Sequence, residues 1–281
     1  MENGVSYPTA LRIFRDRHNE MKLFSSSLHE LATNNSQFKE ATTCLSIGTG
    51  CGEFDIEFIQ KCLPKLKEFI AVEPNRDCAK ELEANFKKRF DGSLTLEIFE
   101  MKVENFVDLF EKSDDDDNNY VSKENIHDIA AKKRMNLLNR KIDVIIAFHV
   151  IYFLNSGDRS RLYDTCFNRW LDPINGQLVF ANAHGDNAIV GLMEQLGAAP
   201  FLTSETIKQE LKINGVQIVK ELTYRGLIDL DGYSIDHLNG MFHFTLKSLK
   251  LNFEKVSNAI KAVAPNGYGS FVCELCVCQK Y

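Results

Sequence analysis

No apolar stretch of the chain approaches the ~20 residues that a membrane-spanning helix needs, so no membrane association is expected. The opening Met1-Glu2-Asn3-Gly4-Val5-Ser6-Tyr7-Pro8 has neither the basic cluster nor the apolar run of a secretory signal, and Met1-Glu2 does not fit the myristoylation pattern. A cytoplasmic location is therefore expected. Basic charge is short too. The 33 Lys and Arg stand against 39 Asp and Glu, a net charge of −6, which argues against a broad basic face for nucleic acid. No repeat and no second domain boundary divide the 281 residues, which suffice for one large core and read as a single domain and a monomer. A second cluster with metal-ligand spacing is also missing. Cys273-x-x-Cys276-x-Cys278 invites a zinc reading, but its apolar setting reads as a strand whose alternation sends cysteines to both faces. No metal is expected, and the eight cysteines are expected reduced and packed as small hydrophobes.

What is present centres on Cys44-Leu-Ser-Ile-Gly-Thr-Gly-Cys-Gly-Glu-Phe-Asp-Ile56. A short apolar strand runs into Gly48, Thr49, Gly50 and Gly52, and a helix follows to the stop at Pro64. Glycines in a strand-to-helix turn permit positive φ and let a ligand approach the backbone. The helix behind them points its free N–H groups at that ligand. The next apolar run, Phe69-Ile-Ala-Val72, ends on Glu73, which is placed to accept hydrogen bonds from ribose hydroxyls. The spacing is G-x-G-x-G rather than the G-x-G-x-x-G of dinucleotide binders, which disfavours a nicotinamide oxidoreductase. The tighter pattern is similar to that of class I methyltransferases that bind S-adenosylmethionine.

The rest of the chain alternates in α/β fashion. Strands are expected at 43–47, 68–73, 94–99, 142–148, 177–181, 216–222 and 270–278, with helices at 53–63, 77–90 (capped by Asn75), 158–170, 188–196, from Thr203-Ser204 onward, and over much of 235–264. This predicts a doubly wound, seven-stranded, mostly parallel sheet, Rossmann-like, with its ligands at the carboxyl ends of the strands. Residues 1–40, with Leu11, Phe14, Met21, Phe24, Leu28 and Leu31 at near-helical spacing, read as a helical lid. Residues 111–140, opened by the acidic run Asp114–Asp117, read as a surface insertion with a short helix over 122–138, and lack the spaced ligands of a calcium loop. Residues 185–265 read as additions on the substrate side.

Leu45-Ser-Ile-Gly-Thr-Gly-Cys-Gly-Glu-Phe-Asp55, Val72-Glu73-Pro74, Asp143 with Ile151-Tyr152, Thr203-Ser204 and Asp229 stand in the order and spacing of one family. Over about residues 7–278 the chain resembles the animal histamine N-methyltransferases. The resemblance implies transfer of a methyl group from S-adenosylmethionine to a ring nitrogen of a small imidazole or amine. It places Gly48, Thr49 and Gly50 at the methionine part of the cofactor, Glu73 at the ribose, Glu104 and Asn105 beside the adenine, and Phe148 against the cofactor. It places the substrate-binding carboxylate on Glu20. The substrate half departs from the family: a glutamine becomes His149, an asparagine falls on Phe271, a cofactor-side glutamine falls on Cys78, and two pocket tryptophans are absent, the one tryptophan being Trp170.

Methyl transfer from a sulfonium chiefly requires a positioned, neutral nucleophile. Glu20 is expected to hold an alkylammonium tail or act as a weak base, and His149 to orient the nucleophile or take its proton. Tyr152 and Phe271 are expected to line the acceptor pocket, His184 to be a lesser candidate, and Asp229 and Asp231 to add charge or serve a turn. Two other readings stay open: the same fold acting on a phenol, a thiol or another N-heterocycle, and a cofactor-binding protein without turnover.

Overall fold

The computed structural model describes residues 7–111, 140–246 and 249–280. Seven strands form one sheet: β1 (Thr43–Ile47), β2 (Glu68–Val72), β3 (Thr95–Phe99), β4 (Val144–Phe148), β5 (Gln177–Ala183), β6 (Val216–Asp229) and β7 (Tyr268–Lys280). Their order is β3-β2-β1-β4-β5-β7-β6. The first five run parallel, and β7 is antiparallel to both β5 and β6. The chain therefore reverses at β1/β4, where the sheet was first extended one way and then the other, and a crevice opens beyond the strand ends there.

The near-continuous apolar strands are explained by burial on both faces. Every residue of β4 and β5 is buried. Alternate side chains feed two cores. On one face Cys44, Val144, Ile146, Phe148, Cys273 and Leu275 meet α2 (Glu20–Asn34), α4 (Glu53–Cys62) and α5 (Arg76–Phe90). On the other, Leu45, Ile145, Phe180, Cys276 and Cys278 meet α6 (Val103–Glu111) and α7 (Ser156–Thr165). The expected alternation of the late cysteines is thus present, and no zinc site can join Cys273 to Cys276 and Cys278 across the sheet.

The N-terminal segment forms α1 (Tyr7–Asp16), α2 and the short α3 (Ser36–Glu40). Only α1 and the start of α2 cover the crevice; Phe24, Leu28 and Leu31 of α2 are core. The substrate-side additions divide as well. Residues from α8 (Ala188–Gln195) and α10 (Ile235–Leu246) reach the crevice, whereas α9 (Ser204–Ile213) packs Ile207 and Leu211 into the opposite core. Beyond them, α11 (Phe253–Val263) packs on α8. Asn75 caps α5 as expected, accepting from the N–H groups of Asp77 at 3.0 Å and Cys78 at 3.1 Å. Thr203 stands at the cap of α9 but bonds no backbone N–H there, because the hydroxyls of Thr203 and Ser204 turn to the Glu205 carboxylate. The helix expected to reach Trp170 ends at Thr165 in a π turn over Cys166–Trp170, which buries Trp170 5.3 Å from Phe106 and away from the crevice. Three strands run longer than expected: β5 continues to Ala183, β6 to Asp229 and β7 to Lys280, the last two pairing as a long ribbon. The acidic run and the helix expected over 122–138 lie outside the described residues. Among the described residues no helix is long and apolar enough to cross a membrane.

Candidate active site

At the tip of β1 the chain turns through Gly48, Gly50 and Gly52 at φ +64°, +58° and +84°. The three glycines do different work. A Cβ on Gly48 would sit 2.2 Å from Val150 Cγ2, and one on Gly52 would sit 2.3 Å from Leu82 Cδ1, while one on Gly50 would meet no heavy atom within 4 Å. Gly48 and Gly50 border the cavity, and Gly50 leaves the open space a ligand needs. Gly52 does not border it; it caps α4 and lets α5 approach, so its expected cofactor contact becomes a packing role. Gly48→Ala should therefore cost about 2–4 kcal/mol, and Gly50→Ala only about 1, through strained backbone. Thermal melts test this, with Gly48→Ala falling at least roughly 5 °C. Equal losses in the two variants would contradict the packing account.

Glu73 fastens the turn to the tip of β2. Its Oε2 accepts from Gly50 N–H at 2.7 Å, and its Oε1 accepts from Asn75 N–H at 2.8 Å. Burial raises its pKa, against the pull of those two N–H groups. Beneath the turn lies a carboxylate that the spacing did not single out. Asp55 is buried in α4 and accepts from the Ser46 hydroxyl, which in turn accepts from Thr49 Oγ1 at 2.9 Å. Burial pushes Asp55 up to about 7, opposed by the Ser46 bond. A carboxyl raised in the folded state binds more protons folded than unfolded. Stability should therefore fall as pH rises from about 4 to about 7, by up to about 4 kcal/mol, and level off above. Asp55→Asn should flatten that slope in denaturant titrations across the same range; an unchanged slope would place the titrating group elsewhere.

A cavity of about 460 Å³ runs from this turn to a second polar centre. Its near end is bordered by Thr49, Val72, Glu73, Pro74, Asn75, Lys102 and Glu104. Its far end is walled by Phe14, Phe54, Tyr152, Phe201, Phe242 and Phe271, and Tyr7 borders the cavity within range of Glu73. Phe148 stands between, edge-on to Phe24 and Phe58. Tyr152 packs 5.0 Å from Phe201, and Phe271 stacks 4.5 Å from the His18 ring.

Glu20, the first residue of α2, is buried at the floor of that far end. Its Oε1 accepts from the Tyr224 hydroxyl at 2.9 Å and stands 2.7 Å from His149 Nε2. Its Oε2 stands 3.8 Å from His18 Nε2. Burial alone would raise its pKa, but the close charge of His149, then His18 and the Tyr224 hydroxyl, outweigh it and hold Glu20 at about 2. These partners favour the Glu20 anion. His149 reaches it through a left-handed backbone, φ +55°, just past β4, where its N–H donates to Ala181 O at 2.9 Å. Such a conformation in a non-glycine residue costs about 1–3 kcal/mol and marks functional places.

The structure thus brings together Gly48, Thr49, Gly50, Glu73, Glu104, Phe148, His149, Glu20, Tyr152 and Phe271. Asn105 is not among them. It is exposed on the outer face of α6, because helical rotation turns it away from Val103 and Glu104. Asp229 lies 3.7 Å from Arg17, which also donates to the Asp231 carbonyl, so both aspartates shape a surface turn. His184 pairs with Glu205 at 2.9 Å, off the cavity. Tyr224, Asn187 and Asp55 were not singled out from sequence, and Cys273 was considered only with Cys276 and Cys278 and not for this cavity. Tyr224 and Cys273 sit in long strands, and nothing in their local pattern distinguishes an inward polar group from core.

No protein-family model and no curated protein matches the sequence. Solved structures do. The YcgJ protein from Bacillus subtilis aligns with 91% of this chain and 99% of its own at TM-score 0.50 and 11% identity. Magnesium protoporphyrin IX methyltransferase from Synechocystis PCC 6803 with bound SAH aligns with 98% of this chain and 90% of its own, at TM-score 0.50 and 10% identity. The chain has the class I methyltransferase fold. A third structure, an S-adenosylmethionine-dependent methyltransferase from Clostridium acetobutylicum ATCC 824, aligns at TM-score 0.48 and 13% identity, over 98% of this chain and 96% of its own.

Proposed function

We propose that this chain is an S-adenosylmethionine-dependent methyltransferase whose acceptor is a small amine or imidazole such as histamine. The observation that carries the acceptor class is the buried Glu20 anion at the floor of an aromatic-walled cavity that opens onto the glycine turn. A carboxylate within aromatic walls suits an alkylammonium, which gains both ion pairing and ring contacts.

The near end of the cavity fits the cofactor. Gly50 leaves room above the turn, and each Glu73 oxygen, already taking one N–H, keeps a lone pair for a ribose hydroxyl. Glu104 and Lys102 border the same end of the cavity, where the adenine would lie. When bound, S-adenosylmethionine supplies an electrophilic methyl group on a positive sulfur. The protein's share is positional. Glu20 anchors the ammonium, the aromatic walls exclude water, and His149 fixes the acceptor nitrogen in line with the methyl and takes up its proton.

Thermal shift tests the acceptor class. With SAH present, histamine at 100 times its Kd should add about 2.7 kcal/mol, a rise of roughly 5 °C or more, and its uncharged alcohol analogue should add little. Equal shifts would remove the charge argument. A second reading rests on the 2.7 Å His149–Glu20 contact. An imidazole backed by a carboxylate is a stronger base, which suits a phenol or thiol acceptor that must lose its proton. Shifts produced by phenols or thiols and not by amines would favour it.

A further inference from the structure

Glu20, His149 and Cys273 each turn one ligand atom toward a common point, and the three atoms lie within 4.8 Å of one another. They come from three separate elements: the start of α2, the residue after β4, and β7. His149 Nε2 is buried and stands 2.7 Å from Glu20 Oε1, out of line for a hydrogen bond, so it faces the carboxylate as a charge partner and makes no hydrogen bond among the described residues. The thiol side is held in place, with Asn187 Nδ2 donating to Cys273 Sγ at 3.8 Å.

We propose that Glu20, His149 and Cys273 form a site for a borderline-soft divalent ion of the Zn2+ type. Three observations point to that ion. The donor set is one carboxylate oxygen, one imidazole nitrogen and one thiolate sulfur, the mixture Zn2+ accepts and hard oxygen-seeking ions do not. The charges close: one carboxylate and one thiolate neutralise a 2+ ion in a buried place, leaving no net charge to desolvate. The count is that of an open site, three protein ligands with the fourth position facing the cavity. Bond lengths of about 2.0–2.3 Å set ligand atoms roughly 3.3–3.7 Å apart. Binding requires the 2.7 Å Glu20–His149 contact to open slightly and the three atoms, now within 4.8 Å of one another, to settle at that spacing. Binding releases the Cys273 proton to solvent and involves no change of oxidation state. This is not the Cys273-x-x-Cys276-x-Cys278 motif, since Cys276 and Cys278 lie in the opposite core.

The ion and a cationic acceptor would claim the same carboxylate, so the site makes the cavity sensitive to thiophilic metals. The inference stands on geometry and does not depend on the acceptor being an amine.

The test is titration of the purified full-length chain with Co2+, followed by its thiolate-to-cobalt absorption band, then displacement by Zn2+ against a chromogenic chelator. The expected result is one ion per chain with the band present, unchanged in Cys276→Ser. Cys273→Ser should lose the band, and both Cys273→Ser and His149→Ala should bind Zn2+ at least ~10-fold more weakly, with circular dichroism confirming their folds. Wild type that shows no band or takes up no ion would overturn the proposal without recourse to any variant. So would a band that persists in Cys273→Ser. No methyl donor or acceptor is present, so failure of the functional reading leaves this result untouched.

Discussion

Glu73→Ala should weaken SAH binding at least ~100-fold by calorimetry. Two hydrogen bonds from ribose hydroxyls to a charged acceptor contribute about 1.5 kcal/mol or more each, and about 2.8 kcal/mol is a hundredfold. The change also releases the Gly50 and Asn75 N–H groups that Glu73 now holds, which loosens the turn itself. Glu73→Gln should be nearly as weak. Its amide nitrogen would face a backbone donor at either Gly50 or Asn75, so one of the two contacts becomes donor against donor. Full affinity in Glu73→Gln would mean that the carboxylate's dual hold on the turn is dispensable. Full affinity in Glu73→Ala would move the ribose elsewhere.

Glu20→Gln should raise KM for an amine acceptor at least ~100-fold and change SAH affinity less than about threefold. Charge decides the effect. Glu20 is buried and anionic, and an ammonium brought beside a neutral amide loses its counterion in a place where water cannot replace it. Glutamine keeps an oxygen for the Tyr224 hydroxyl, so the floor of the cavity stays built. The pattern of the loss separates two roles. A rise in KM alone marks an anchor, and a fall in kcat with KM unchanged marks Glu20 as the group that backs His149 in proton transfer. Because the folded pKa is depressed to about 2, the stability Glu20 contributes is complete above its unfolded value near 4.5 and is lost as pH falls toward 2. Any acid limb of acceptor binding above pH 5 therefore belongs to another group.

The cofactor end was legible in the sequence because it is local. Gly48, Gly50 and Glu73 lie within 26 residues on two adjacent strand ends, and strand–turn–helix spacing fixes their geometry. Asn105 failed for a local reason too: a stretch assigned to the adenine side is helical, and one residue of rotation carries a side chain from the cavity to solvent. Glu20 and His149 were named, the first through family resemblance and the second partly from its place at a strand tip. Their direct contact was not legible, since it depends on the left-handed turn at residue 149. Tyr224 could not be seen at all, and Cys273 was seen only in a zinc motif that its strand setting ruled out. Each is the inward member of an alternating strand, and only the β6–β7 pairing that sets Tyr224 opposite Cys273 beneath Glu20 shows that these two positions serve the cavity. Asp55 was hidden similarly, as one acidic residue in a helix whose burial depends on the sheet behind it.

The measurement that bears most directly on the central claim is transfer of labelled methyl from S-adenosylmethionine to a panel of histamine, other imidazoles, primary and aromatic amines, phenols and thiols. The account predicts turnover of a cationic amine or imidazole that disappears in Glu20→Gln. Turnover confined to phenols or thiols, or turnover of amines indifferent to Glu20, would contradict it.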